Sequence, residues 1–223
     1  MGIGLLVSWR LKSKFREYSR IPSASGLSGR EIAEKMLRDN GITDVRIIHV
    51  GGQLTDHYNP ANRTVNLSEE VYNGRNAAAA AIAAHECGHA VQHATAYGPL
   101  KLRSALVPIQ NASGMIINFI MIATVFGGAF LFHAFPFEIV IWVIVIAYGG
   151  IALFSLVTLP VEFDASKRAL AWIEGSGTAT REEHDRAKDA LKWAALTYVI
   201  AALGAIVTVA YYVSMLAGGR RND

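Results

Sequence analysis

Three side chains within five residues could act together on one metal ion and one water. His85-Glu86-Cys87-Gly88-His89 has the pattern H-E-x-x-H. On an α-helix each residue turns by about 100°, so residues four apart share a face. His85 and His89 can then aim two imidazoles at one ion. Glu86 lies beside that pair, where it can take a proton from a metal-activated water. Zinc suits two neutral imidazoles plus a carboxylate, with a fourth position left for water. A helix with buried, hydrogen-bonded histidines is the competing reading. Against it, Glu86 sits among small apolar residues, where a carboxylate without a partner is costly.

The helix that would carry these groups is well supported. Residues 77–84 are alanine except for Ile82, and no proline interrupts up to Tyr97. Cys87 is the single cysteine, so no intramolecular disulfide can form. It reads as a small residue inside the helix, or as an oxidation-sensitive position beside a metal.

Upstream, Ser28-x-x-Glu31 is a capping box that starts a helix with Ile32, Met36 and Leu37 on its apolar face, and Gly41 closes it. Residues 45–50 (VRIIHV) read as a strand. Residues 54–58 and 64–67 read as a hairpin around the five-residue loop 59–63. Ser68 with Glu69 and Glu70 starts a short helix. The edge of the hairpin could bind a substrate backbone as an added strand.

Downstream, residues 113–134 and 139–159 contain no Lys, Arg, Asp or Glu, and 193–217 form a third such run. A bilayer span needs about 20 residues, so three transmembrane helices are expected, the first two as a hairpin around a tight turn at 135–138. Residues 1–9 are apolar but too short to span. The basic stretch after them is the wrong order for a secretory signal, so they read as an interfacial anchor or the remnant of a span. The hairpin returns the chain to the histidine side at Pro160, just before Glu162 and Asp164. Glu162 would complete a two-His, one-Glu zinc set, and Asp164 could orient a liganding histidine. A surface carboxylate pairing with Lys167 or Arg168 is the alternative. Thr180-x-x-Glu183 is a second capping box.

Of the 21 Lys and Arg, 13 lie in residues 1–112, 6 in 160–192 and none in the hairpin turn. The positive-inside rule places the first two groups in the cytoplasm. The net charge of +3 and the lack of a basic aromatic motif give no sign of nucleic-acid binding.

Together these residues resemble the YugP-type membrane-bound neutral zinc metallopeptidases of bacteria. The resemblance rests on Leu54-Thr-Asp-His-Tyr58, Ala84-His-Glu-Cys-Gly-His-Ala90, Leu102-Arg-Ser-Ala-Leu106, Leu159-Pro-Val-Glu-Phe-Asp-Ala165 and Ala194-Ala-Leu-Thr-Tyr198. It implies a gluzincin-like site similar to that of the prenyl-protein and heat-shock membrane proteases. His85, His89 and Glu162 would be the zinc ligands and Glu86 the catalytic base. The chain departs from the pattern in two places. Only residues 1–9 stand where the family carries a fuller first span. The prenyl-protease relatives have E-x-x-x-D, whereas Glu162 and Asp164 are two apart, about 200° around a helix, so one alone can face the metal. Glu162 is taken.

The expected architecture is an α-helical multi-pass membrane protein with a small α+β zincin-like domain, three long transmembrane helices and a short N-terminal apolar segment. The segments are an apolar and basic stretch (1–20), the zincin-like domain (21–112), the transmembrane hairpin (113–159), a helical segment with the third ligand (160–192), a transmembrane helix (193–217) and a tail (218–223). The expected function is zinc-dependent hydrolysis of peptide bonds, on peptide or membrane-protein substrates, at the cytoplasmic face of a bacterial inner membrane. His57, Tyr58, His93 and Arg168 are candidates to stabilise the oxyanion, and His93 could also be a spare ligand. Two rivals stand beside this reading. A non-catalytic zinc-binding scaffold or pseudoprotease has no need of Glu86. A metal transporter predicts ionisable groups inside the spans, where only His133 is found, near an end.

Overall fold

The computed structural model describes residues 2–219, and of 128–133 the backbone path alone. The side chain of His133 and the tail residues 220–223 lie outside the described residues. The elements follow in the order α1 (Gly2–Tyr18), α2 (Gly29–Asp39), β1 (Arg46–Val50), β2 (His57–Asn59), β3 (Thr64–Ser68), α3 (Glu69–Tyr72), α4 (Ala77–Ala94), α5 (Gly98–Ala134), α6 (Phe137–Gly175) and α7 (Arg181–Gly219). They form two compact units. One comprises Met1–Lys101 and Leu159–Thr197, the other Leu102–Thr158 and Tyr198–Asp223.

Local chemistry sets the helix ends in the first unit. Ser28 and Glu31 form the expected capping box on α2: the Glu31 N–H donates to Ser28 Oγ at 3.3 Å and the Ser28 N–H to Glu31 Oε2 at 2.7 Å. Beyond Asn40, Gly41 takes φ +68, the left-handed turn that glycine adopts without strain. Asn76 caps α4 by accepting the Ala79 N–H at 2.9 Å. Thr180 and Glu183 cap α7 in the same way, and Glu183 Oε1 also accepts the Ala24 N–H, which ties down the linker before α2. Ser68 precedes α3 without capping it; its N–H and hydroxyl go to Asp56 instead.

The sheet has the order β1-β3-β2, with β1 parallel and β2 antiparallel to β3. The first strand of the hairpin is shorter than its residue pattern suggests. It begins at His57, because Leu54 has φ +55 and turns the chain out of the strand direction. All five residues of β3 are buried. Ile32, Met36, Val65, Leu67, Val71, Ala84 and Cys87 share the core against the alanine face of α4, with Ala169 and Ile173 from α6. Small residues on α4 let its neighbours approach closely. A Cβ added at Gly88 would lie 2.5 Å from the carbonyl oxygen of Ala165 on α6. Buried Val161, Ala165, Ala169 and Ile173 recur every fourth residue and form the stripe of α6 that faces this core.

α5, α6 and α7 each contain a stretch long and apolar enough to cross a membrane. Each of the three helices is longer than its apolar run. The backbone of α5 leaves helical geometry at Gly127. In the second unit Val140, Ile141 and Ile144 of α6 pack with Ile117 and Ile120 of α5 and with Tyr212 of α7. α1 runs unbroken from the apolar start through the basic stretch, so the two parts of residues 2–18 are one helix.

Candidate metal centre

α4 carries His85 and His89 one turn apart, their ring centroids 4.9 Å from each other. α6, held against α4 by the Gly88–Ala165 approach, brings Glu162 between them. Glu162 Oε2 lies 3.2 Å from His85 Nε2 and 3.7 Å from His89 Nε2. One ligand atom from each of the three residues falls within 4.8 Å of the others, a set that could hold a metal ion. Glu162 and His89 are buried and His85 is partly so.

The supporting contacts fit such an ion. Gln92 Nε2 donates to Val161 O at 2.7 Å and to Asp164 Oδ2 at 2.9 Å. Both partners accept only, so the amide orientation is settled and its oxygen faces His89 Nδ1 at 3.0 Å. His89 must then carry its proton on Nδ1, leaving the Nε2 lone pair toward Glu162. This is how a liganding histidine is held by a neighbour on its other nitrogen. His85 Nδ1 has a partner too, Ser166 Oγ at 3.2 Å. Asp164 touches neither histidine among the described contacts. It is expected to orient one directly, and instead it acts through Gln92 while accepting Arg168 Nε at 2.6 Å. Arg168 in turn lies over the ring of Tyr97.

Glu86 is turned about 100° from His85 around α4 and reaches the sheet. Its Oε2 accepts the backbone N–H of Tyr58 at 2.9 Å, and the residue is 8% exposed. Burial pushes its pKa up to about 7, against the pull of the neighbouring His85. Tyr58 also joins its hydroxyl to His93 Nδ1 at 2.7 Å, and both residues line a cavity of about 280 Å³ with Asp44 and Arg63. His93 is thus engaged by Tyr58 and lies outside the three-residue cluster. His57 is exposed and its ring bonds the Thr55 carbonyl at 2.8 Å. Cys87 is fully buried with its thiol toward the Ala33 carbonyl, and burial raises its pKa. An oxidation-sensitive role does not suit that position.

β3 is paired on both sides, so the free edge of the hairpin is β2 alone, and Thr64 is not on it. Sequence reasoning missed Gln92 and Ser166. The signal was spacing: Gln92 follows His89 by three residues and Ser166 follows Glu162 by four, each on the helix face of a candidate ligand.

The chain matches, over residues 1–217, the family described as "Putative neutral zinc metallopeptidase". It belongs to that family. It is 38% identical over 224 residues to "Putative membrane protease YugP" of Bacillus subtilis (strain 168), covering 100% of this chain and 96% of that protein. No solved structure matches it. Membership of a zinc peptidase family agrees with the donor set at His85, His89 and Glu162, and three apolar helices agree with a membrane protein.

Proposed function

We propose that this protein is a membrane-bound zinc metallopeptidase that hydrolyses peptide bonds, with His85, His89 and Glu162 as ligands and Glu86 as general base. One observation carries the reading: a carboxylate fixed by a backbone N–H lies one residue from a histidine of a buried two-His, one-Glu cluster. Zinc held by those three residues would supply Lewis acidity toward a water and toward the scissile carbonyl. Glu86 takes the proton of the attacking water and delivers it to the leaving amine. The Tyr58 N–H holds Glu86 Oε2, so the other oxygen is the one left for the proton. Gln92 and Ser166 keep the two imidazoles turned, and Asp164 with Arg168 keeps Gln92 turned. The short edge strand β2 offers its backbone to an extended substrate. The Tyr58 hydroxyl, joined to His93 Nδ1, is assigned as the oxyanion donor on this strand; the His57 ring is bonded to the Thr55 carbonyl and Arg168 to Asp164.

Replacing Glu86 with Gln tests this. The variant should insert and hold zinc like the parent, yet lose at least about a hundredfold of peptide cleavage, the range a general base supplies. Zinc is measured by mass spectrometry and cleavage in proteoliposomes with unstructured and membrane peptides. Equal cleavage by both proteins, zinc present in each, leaves a zinc-binding scaffold as the reading.

The site faces the cytoplasm of a bacterial inner membrane, a placement supported by the concentration of Lys and Arg on its side of the spans. In a Cys87→Ser background, cysteines placed at Asn62 and Pro136 should label from opposite sides. Labelling of Asn62 from outside intact cells overturns this orientation.

A further inference from the structure

Residues 10–20 hold five cations, Arg10, Lys12, Lys14, Arg16 and Arg20, and the structure divides them between two tasks. Arg10 and Lys14 fasten α1 to α7. The Arg10 guanidinium lies 5.8 Å from the centroid of the Trp193 ring, and Lys14 Nζ lies 3.3 Å from Asp189, which also accepts the Tyr18 hydroxyl at 2.6 Å. Lys12, Arg16 and Arg20 do something else. They are exposed, make no side-chain hydrogen bond or ion pair among the described residues, and line one cavity of about 560 Å³. Ser19, Gln53 and Asn76 add polar groups to its wall, Phe15 and Leu54 add apolar ones, and the one acid, Glu70, is already bonded by Gln53.

The contacts with α7 fix the direction of α1 within the first unit. Arg10 meets Trp193, and Lys14 and Tyr18 meet Asp189, so the two helices run antiparallel. Moving from Lys14 back toward Gly2 is therefore moving past Trp193, where α7 enters its uncharged run. At 1.5 Å per residue, Ile3 lies about 10 Å beyond Arg10 on that side, while Lys12 and Arg16 lie about 3 and 9 Å on the other. A hydrocarbon core of about 30 Å has roughly 5–7 Å of headgroup on each side. The exposed apolar side chains Ile3 (66%), Leu5 (73%), Leu6 (62%) and Trp9 (57%) then lie on the hydrocarbon side, Lys12 falls within the headgroup layer, Arg16 starts just beyond it with a side chain long enough to reach back, and Arg20 lines the same cavity past the end of α1.

We infer that this cavity binds the phosphate headgroup of an anionic phospholipid, with Lys12, Arg16 and Arg20 around the phosphate and the apolar start of α1 along the acyl chains. A soluble phosphate would use the cations but not Ile3, Leu5, Leu6 and Trp9. The cavity also reaches Asn76, the cap of the helix that carries His85 and His89, so the bound lipid borders the scaffold of the metal centre. Binding is read without substrate, so its outcome is independent of the peptidase reading.

The test uses the full chain in detergent, titrated separately with phosphatidylglycerol, phosphatidylcholine and inorganic phosphate, with bound species counted by native mass spectrometry. One phosphatidylglycerol should bind at least about tenfold more tightly than phosphatidylcholine. Each basic residue near an anionic surface contributes about a factor of five, so the triple variant Lys12→Gln, Arg16→Gln, Arg20→Gln should lose roughly a hundredfold. The charge-matched triple Arg38→Gln, Arg46→Gln, Arg181→Gln should stay within about threefold of the parent. If the first triple fails to fold, judged by helical circular dichroism and zinc content, the single variant Arg16→Gln should lose about fivefold. Equal binding of the two lipids, or phosphatidylglycerol retained by Arg16→Gln and the triple, overturns the proposal. Inorganic phosphate bound as tightly as the lipid overturns it in favour of a soluble anion site.

Discussion

The two ends of α6 bury apolar side chains to different extents: Val140, Ile141 and Ile144 pack near its start, but most of the large apolar side chains around them stay exposed. In its last four turns Val161, Ala165 and Ala169 are 0% exposed and Ile173 is 3%, all turned to the core around α4. Nearer its start, Trp142 is 47% exposed, Ile146 70% and Leu153 49%. One helix thus passes from a region with a stripe of fully buried apolar groups to one where large apolar groups are also left outside. In water that outer surface would be costly, at about 25 cal/mol per Å². In hydrocarbon it is matched by its solvent. The polar groups divide the same way: Glu162, Asp164, Ser166 and Arg168 all fall on the end of α6 that packs against the sheet domain, each with a named partner there.

This difference can be broken from the bilayer side with the largest effect. Val207 is 66% exposed near the middle of the third apolar run. Val207→Arg should cost about 2.5–3.5 kcal/mol of membrane insertion, read as the fraction of the third span that crosses in a glycosylation-reporter assay. Ile48→Arg, at an exposed position of β1, should cost about 1 kcal/mol or less in thermal unfolding. Similar penalties at both sites would contradict the assignment of two different solvents.

Close packing separates the regions next. Gly88 lies against the Ala165 backbone, whereas a Cβ at Gly204 meets nothing within 4 Å. Gly88→Ala should push α4 and α6 apart at an overpacking cost of about 1–3 kcal/mol, partly offset by about 1 kcal/mol of helix propensity. Because Glu162 lies one turn before Ala165, zinc affinity should fall with stability. Gly204→Ala should leave both unchanged or slightly raise stability. Calorimetry and zinc titration of the two variants decide it.

The finest contrast is within the metal centre. Gln92 touches no ion, yet its loss would free His89 Nδ1 and remove a donor from the Val161 carbonyl and from Asp164 Oδ2. Gln92→Ala should lower zinc affinity about 10–100-fold with the fold intact by circular dichroism. Unchanged affinity would mean that packing alone orients His89.

What the residue string determined by itself was local. A four-residue spacing puts His85 and His89 on one face because the helix period is 3.6. Ser28 with Glu31 and Thr180 with Glu183 cap helices because the bonds they make span one turn. Runs of more than 20 uncharged residues must find an apolar solvent or a core. The tertiary structure decided whatever depends on partners distant in the chain. Ser68 satisfies every local rule for a cap, yet its hydroxyl goes to Asp56, because the hairpin brings that carboxylate nearer than the helix end. The parallel pairing of β1 with β3 joins residues 18 apart, so no hairpin rule reveals it, and it leaves β2 as the open edge beside Glu86. The choice between Glu162 and Asp164 was half legible: helix geometry says that only one can face the histidines. Which one depends on the rotation of α6, and that is set where Ala165 meets Gly88, 77 positions along the chain and in direct van der Waals contact.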